Sequence, residues 1–171
     1  YTNQAATGLR PVEEAYALAR EAVGRALTAD PDLASAHANL GWIAMRYDRD
    51  LAAAARHYQR ALDLAPAEAS ILGNASTLLS DLNRTEEALA IRTFLVARDP
   101  INPQLRANLG SVYAAAGRHA EAIDSYHATL RLAPGYIGMS AAIAAALARQ
   151  GQLDQALVEA SRESNELRRL T

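Results

Sequence analysis

The chain has 171 residues, half of them hydrophobic, but only 5% are aromatic and 40 are alanine, which predicts closely packed helices rather than sheets. Its net charge of −2, with arginine as the only basic residue type besides histidine, gives no sign of a nucleic-acid or anionic-membrane surface. The lack of cysteine excludes disulfides and thiolate metal sites. No apolar run reaches the ~20 residues of a membrane span, and we therefore expect a cytoplasmic protein.

The N-terminal part divides into a short tail and one helix. Residues 1–10 are polar and too short for a further helix of the pattern described below. Residues 11–30 have the spacing of the second half of a repeat, because Ala19 stands twelve residues before Pro31. We therefore predict an orphan second helix there, preceding the first complete repeat.

The rest of the chain repeats itself. Alanine recurs at intervals of 34 residues, and proline follows twelve residues after the first three of these alanines; the positions are Ala54, Ala88, Ala122, Ala156, Pro66, Pro100 and Pro134. The spacing predicts four repeats over 31–66, 67–100, 101–134 and 135–171. One extra residue lies in the first repeat, between Gly41 and Ala54.

Each repeat contains two apolar stretches of helical period. In the third repeat they run from Pro103 to about residue 115 and from His119 to Leu132. Gly117 separates them and, like its counterparts Asn83 and Gly151, suits the left-handed turn at a helix end. Asn102 before Pro103 is a good helix start. Glycine or alanine is expected where two helices approach closely, and tyrosine where the gap is wider.

These marks resemble the tetratricopeptide repeat, a helix–turn–helix family. The third repeat carries them in the series "NLG", Tyr113, Gly117, Ala122, Tyr126 and Pro134. The resemblance implies an all-α, right-handed superhelical solenoid of antiparallel helix pairs. The second repeat departs from the pattern, with Ser76 in place of the glycine and Arg92 in place of the aromatic residue.

The last helix, from Leu153 onwards, is longer than its counterparts and keeps an apolar stripe through Leu157, Ala160 and Leu167. It is either a capping helix or a helix that packs against a further repeat, and the second interpretation is favoured. Exposed terminal helices would also allow self-association.

A narrower resemblance concerns context. The stretches "DPDLASAHANLGW", "YDRDLAAAARHYQRAL" and "DPINP" are similar to the repeat regions of bacterial class III adenylate cyclases and winged-helix regulators. That resemblance implies a catalytic or DNA-binding domain elsewhere in a larger protein, and no residue of this chain matches such a domain.

No catalytic constellation is visible in the sequence. The four histidines form no ligand set at the helical spacing of a metal site. The acidic pairs at 13–14 and 86–87 fit first helical turns, where negative charge is favourable. Phosphate loops and nucleophile elbows are absent. We expect no enzyme activity, no cofactor and no metal.

In the family, the first helix of each repeat lines a concave groove. The resemblance therefore implies a peptide-binding site on these helices, formed by Asn39, Trp42, Met45, Arg46, Asn74, Thr77, Asp81, Gln104, Asn108, Ser111 and Arg149. The expected function is a non-catalytic scaffold that binds a protein partner in this groove. The alternative is a structural or self-assembly segment of a larger bacterial signalling enzyme or transcription regulator.

Two points within this site have alternatives. Asn39, Asn74 and Asn108 recur at one repeat position, where they form either a ladder that hydrogen-bonds an extended peptide or local contacts between helices. Trp42, beside Met45, is either a binding anchor or a residue packed under the orphan helix.

Overall fold

The computed structural model describes the backbone of residues 12–169 and the side chains of residues 13–162. Within that range the chain is all-α, without strands, as predicted. Its nine helices are α1 (Val12–Ala29), α2 (Ala34–Ile43), α3 (Leu51–Leu64), α4 (Ala69–Asp81), α5 (Thr85–Arg98), α6 (Pro103–Ala115), α7 (His119–Leu132), α8 (Met139–Arg149) and α9 (Leu153–Arg169). The predicted tail 1–10 and the side chain of Leu167 lie outside the described residues.

The helices form two compact units, the first ending at Leu82 and the second beginning at Asn83. In the first unit, α2 packs on α1 and α3, and α3 packs on α4. In the second unit, each helix from α5 to α9 packs on the next one along the chain. Each unit is thus a stack of consecutive helices whose apolar faces cover one another.

The predicted helix ends are confirmed. The Asn102 carboxamide oxygen accepts hydrogen bonds from the backbone N–H groups of Gln104 (3.1 Å) and Leu105 (3.3 Å), which caps α6. Asn83, Gly117 and Gly151 adopt positive φ angles of 59°, 73° and 79°. These left-handed residues end the first helix of their repeats, where the sequence placed a turn.

The close-packed glycines lie against tyrosine rings. A Cβ atom added to Gly41 would stand 3.0 Å from the Tyr58 ring, and one added to Gly110 would stand 2.6 Å from the Tyr126 ring. Both tyrosines are buried. The paired "NLG" glycine and downstream tyrosine therefore form one contact in each of these two repeats, as the expected alternation of small and large residues requires.

The extra residue of the first repeat produces a π-helical turn. Residues Ala44–Asp48 continue α2 as a π-helix, and Arg49 follows in the left-handed region at φ 59°. The Asp50 N–H donates to the Ala44 carbonyl (2.9 Å), six residues back, whereas the Arg118 N–H reaches only five residues back to Tyr113 (2.9 Å). The insertion is absorbed within the helix end, leaving the 34-residue spacing of later repeats intact.

The π-helical turn also holds the orphan helix α1. The rings of Tyr16 on α1 and Tyr47 on the turn stack with centroids 4.6 Å apart. Arg20 on α1 lies 5.7 Å over the Tyr47 ring and forms an ion pair with Asp48. The helix before the first repeat thus contacts the inserted segment through Tyr16 and Arg20.

Candidate functional site

In the first unit, the first helices α2 and α4 contact one another and carry most of the predicted binding residues. Asn39, Arg46 and Asp81 are exposed, and Trp42, Asn74 and Thr77 are half-buried. We call this surface the α2–α4 face. The Thr77 hydroxyl is engaged within its own helix, where it donates to the Gly73 carbonyl (3.2 Å).

Met45 does not belong to this face, which corrects the sequence-based placement. Its side chain is 1% exposed and packs in the core cluster that includes Ala44 and Tyr58. The physical reason is the π-helical turn, whose wider winding changes the direction of the side chains it carries. An α-helical periodicity extended from Trp42 therefore places Met45 on the exposed face, although its side chain is buried.

Trp42 is partly covered by a neighbouring cation. The Arg46 guanidinium lies 5.0 Å over the indole ring, and the ring also packs against the core of the first unit. The stacked contact of α1 falls on Tyr47. Trp42 and Arg46 thus present an apolar surface and a positive charge side by side, an arrangement that favours a contact with an apolar residue next to an acidic one.

The three asparagines differ in their engagement. The side chains of Asn39 and Asn74 make no hydrogen bond to any residue that the structure describes. The Asn108 carboxamide oxygen, in contrast, accepts a hydrogen bond from Gln104 Nε2 (3.0 Å) within α6. Two carboxamides of the α2–α4 face are therefore available to a ligand, whereas the one in the second unit has a local partner.

In the second unit the predicted residues lie on α6 and α8. Gln104, Ser111 and Arg149 are exposed, and Asn108 is half-buried. The Tyr136 hydroxyl donates to the Gln104 carboxamide oxygen (2.6 Å), so that a hydrogen-bonded series runs from Tyr136 through Gln104 to Asn108. Sequence reasoning missed Tyr136, because it follows Pro134 in a loop and no helical pattern places it beside α6.

A cavity of about 430 Å³ lies among α6, α7 and α8. Its walls are mostly alanine from α6 and α8, with Tyr126 and His119 from α7 and Arg149 from α8. Arg149 forms no ion pair with a side chain of the described range 13–162. This cavity, lined mostly by alanine and by one arginine, was not predicted, because alanine in a sequence does not indicate a binding site.

Two histidines that are distant in sequence lie side by side in the first unit. The rings of His37 on α2 and His57 on α3 have centroids 6.3 Å apart, and His37 Nε2 is 3.0 Å from the Pro31 carbonyl oxygen. Burial lowers the pKa of His57, with further lowering from the charges of His37 and Arg56. Twenty residues separate the two histidines, so no helical spacing could have paired them.

The described residues contain no group of three or more histidine, cysteine, aspartate or glutamate side chains that could hold a metal ion. Within the same residues, no helix is long and apolar enough to span a membrane.

Comparison with known proteins identifies the repeats. Family models of the tetratricopeptide repeat match residues 36–72 and residues 74–137, together more than half of the chain. The chain belongs to the tetratricopeptide repeat family. The matched ranges begin within α2 and end after α7, and they include the π-helical turn and both close glycine–tyrosine contacts.

Solved structures share this fold. A structure of PilW, described as a widely conserved type IV pilus biogenesis factor, has a TM-score of 0.82 at 23% identity, covering 98% of this chain and 76% of PilW. PilF from Pseudomonas aeruginosa gives 0.75 at 23% identity, covering 90% and 70%. MamA gives 0.72 at 20% identity, covering 92% of each chain. None of the curated proteins matches this chain.

Membership of the family places this chain among protein-interaction scaffolds. Tetratricopeptide repeats use one supersecondary unit many times over, and the faces of the stacked helices supply the binding surface. The two residues by which the second repeat departs from the pattern, Ser76 and Arg92, are both buried. The Ser76 hydroxyl donates to the Gly73 carbonyl (2.8 Å).

Proposed function

We propose that this tetratricopeptide repeat chain is a non-catalytic interaction module that binds an extended segment of a protein partner along its first helices. The observation that carries the proposal is the α2–α4 face, where two unengaged carboxamides, Asn39 and Asn74, accompany the half-buried Trp42. In the second unit the corresponding residues are Gln104, Asn108, Ser111 and Arg149.

The chemistry of the α2–α4 face suits a peptide backbone. A carboxamide offers both a donor and an acceptor, so each asparagine can pair with a peptide N–H and a carbonyl without regard to the partner's side chains. Each such hydrogen bond contributes modestly in water. Most of the affinity must therefore come from an apolar anchor, and Trp42 is the large side chain on this face that is suitably placed.

The charges on the same face add selectivity. Arg46 lies over Trp42, and Asp81 is exposed near the end of α4. A partner that places an apolar residue on the indole gains further if an acidic residue follows it towards Arg46. Opposite charges at the two positions also disfavour partners of the reverse polarity.

The test is selection of peptides from a displayed random-sequence library against the wild-type chain, followed by Kd measurement by fluorescence anisotropy. The double variant Asn39→Ala with Asn74→Ala should weaken the selected peptides by about tenfold or more, as the loss of one to two hydrogen bonds implies. Gln59→Ala, an exposed carboxamide on α3, is the matched control and should leave Kd unchanged. Equal binding by wild type and double variant would rule out the asparagine mechanism.

A second candidate function is self-assembly, for which α9 gives a specific observation. Leu153 and Leu157 are 62% and 70% exposed, although Ile123, which occupies the position of Leu157 in the preceding repeat, packs against the core cluster containing Ile143 of α8. A second copy of the chain could cover this face, as expected of a structural segment in a larger signalling enzyme or regulator. Light scattering of the wild-type chain and of the double variant Leu153→Gln with Leu157→Gln tests this. Dimerisation that depends on concentration and is lost in the double variant supports self-assembly. A wild-type chain that is monomeric at all concentrations contradicts it.

A further inference from the structure

A second cavity, of about 450 Å³, lies in the second unit among α7, α8 and α9. It is separate from the predicted binding residues, none of which lines it. Its size is within the range of cavities that hold small ligands or single side chains of a partner. We call it the α7–α9 cavity.

The α7–α9 cavity has an aliphatic interior. Ile143 and Leu147 of α8 are buried, and Ile123 of α7 and Val158 of α9 line its walls. Val158 remains 54% exposed, so its methyl groups are accessible to a ligand. An alkyl chain that enters this cavity would remove apolar surface from water on both partners.

Two carboxylates line the cavity, from Asp124 of α7 and Glu159 of α9. His127 of α7 adds an imidazole, and neither lysine nor arginine contributes to the lining. Glu159 has a partner, since Arg162 Nη1 donates to it (2.5 Å). Asp124 forms no ion pair with any side chain in the described range 13–162, and it therefore leaves an unbalanced negative charge beside aliphatic walls.

The glutamines that line the cavity stand where the earlier repeats carry an ion pair. In the second and third repeats an arginine just before the second helix pairs with a glutamate three residues later, as Arg118 does with Glu121 (2.8 Å) and Arg84 with Glu87 (2.5 Å). In the fourth repeat both positions are glutamine, Gln152 and Gln155, and both line the cavity. The fourth repeat has thus exchanged an arginine and its carboxylate for neutral carboxamides at this position.

We propose that the α7–α9 cavity is a binding site for a lysine or arginine side chain of a partner protein. The alkyl stem would lie against Ile123 and Val158, and the cationic group would lie at Asp124. The glutamine carboxamide oxygens of the lining accept the remaining N–H donors. An acidic side chain is disfavoured by the carboxylates, and a purely aliphatic one leaves Asp124 without a counter-charge.

The proposal is tested with the wild-type chain and small probes, read by NMR of isoleucine and valine methyl groups. Nα-acetyl-lysine N-methylamide should shift the methyl signals of Ile123, Ile143 and Val158. The neutral analogue Nα-acetyl-norleucine N-methylamide should bind with a Kd about two- to fivefold higher, as expected for an exposed charge pair. Nα-acetyl-glutamate N-methylamide should not bind there.

Variants assign the effect to the cavity. Asp124→Asn should remove the preference for lysine over norleucine, and Gln152→Arg, which restores the arginine of the earlier repeats, should weaken lysine binding further. Asp63→Asn removes an exposed carboxylate on α3 and should change nothing. Norleucine binding as tightly as lysine, an unchanged preference in Asp124→Asn, or shifts spread over the whole surface would each overturn the proposal.

Discussion

The stretch Ala-Asn-Leu-Gly is present at residues 38–41 and again at 107–110, and its two copies have different surroundings. In both, the glycine faces a tyrosine ring of the second helix. The asparagine of the first copy has no side-chain partner among the described residues, whereas Asn108 of the second accepts a hydrogen bond from Gln104. Identical sequence therefore specifies the same packing contact but not the same polar surface.

The difference arises from residues outside the repeated stretch. After the first copy, the inserted residue winds the helix end into a π-helical turn that faces α1 with Tyr47 and Asp48. After the second copy, the helix ends regularly and Arg118 lies 4.8 Å over the Tyr113 ring. The buried side of a repeat thus follows the repeated pattern, while its polar surface depends on residues outside that pattern.

The largest expected effect concerns the shared contact. Gly110→Ala should lower the free energy of unfolding by about 1–2 kcal/mol, because the added Cβ would lie 2.6 Å from Tyr126 and overpacking outweighs the gain in helix propensity. Gly41→Ala, where the distance is 3.0 Å, should cost less. Urea denaturation measures both variants.

A double-variant cycle assigns the cause of the Gly110→Ala effect. Tyr126→Leu in the Gly110→Ala background should recover part of the loss relative to the sum of the single variants, since the shorter side chain makes room for the methyl group. Strict additivity of the two variants would show that the tyrosine ring is not the obstacle.

The next effect concerns the inserted turn. Tyr47→Ala removes the stack with Tyr16 and the contact with Arg20, and should destabilise the docking of α1 by about 1–2 kcal/mol. Hydrogen exchange of the α1 amides measures this loss. Tyr113→Ala, which removes an arginine-stacked tyrosine from the second unit, should leave α1 protection as it is; equal loss of protection in both variants would contradict the assigned role of the turn.

A smaller effect concerns the pH dependence of stability, which His57 of the first unit should influence. The pKa of His57 is lowered by burial and by the charges of His37 and Arg56, so the unfolded chain takes up a proton at a higher pH than the folded one does. The stability contributed by neutral His57 is therefore complete above the ordinary histidine pKa of about 6.5 and is lost as the pH falls below it. Thermal unfolding from pH 7.5 to 5 should decline less steeply for His57→Gln than for wild type. A parallel decline would contradict the assignment.

The features of this molecule that the sequence predicts are those of the repeated pattern, and the features that it does not predict lie outside that pattern. The 34-residue spacing predicted the helix pairs, the left-handed turns and the glycine–tyrosine slots, because each depends on residues that recur at matching repeat positions. The burial of Met45, the pairing of His37 with His57 and the contact of Tyr136 with Gln104 could not be predicted. They depend on helical phase after an insertion or on side chains meeting across helices, for which a single sequence has no periodic signal.

The smallest expected effect tests the polar surface of the second copy. Tyr136→Phe removes the hydroxyl that donates to Gln104, and because this hydrogen bond is exposed to water it should cost about 0.5 kcal/mol or less. Its sharper consequence is local: without Tyr136, the Gln104 and Asn108 carboxamides lose a fixed orientation, and their side-chain NH₂ resonances should move towards random-coil positions in NMR spectra. Tyr113→Phe is the matched control, since the Tyr113 hydroxyl bonds to no described residue. If Tyr136→Phe leaves both carboxamide signals in place, the orientation of Asn108 is set by its hydrogen bond with Gln104 within α6, and Tyr136 does not contribute to it.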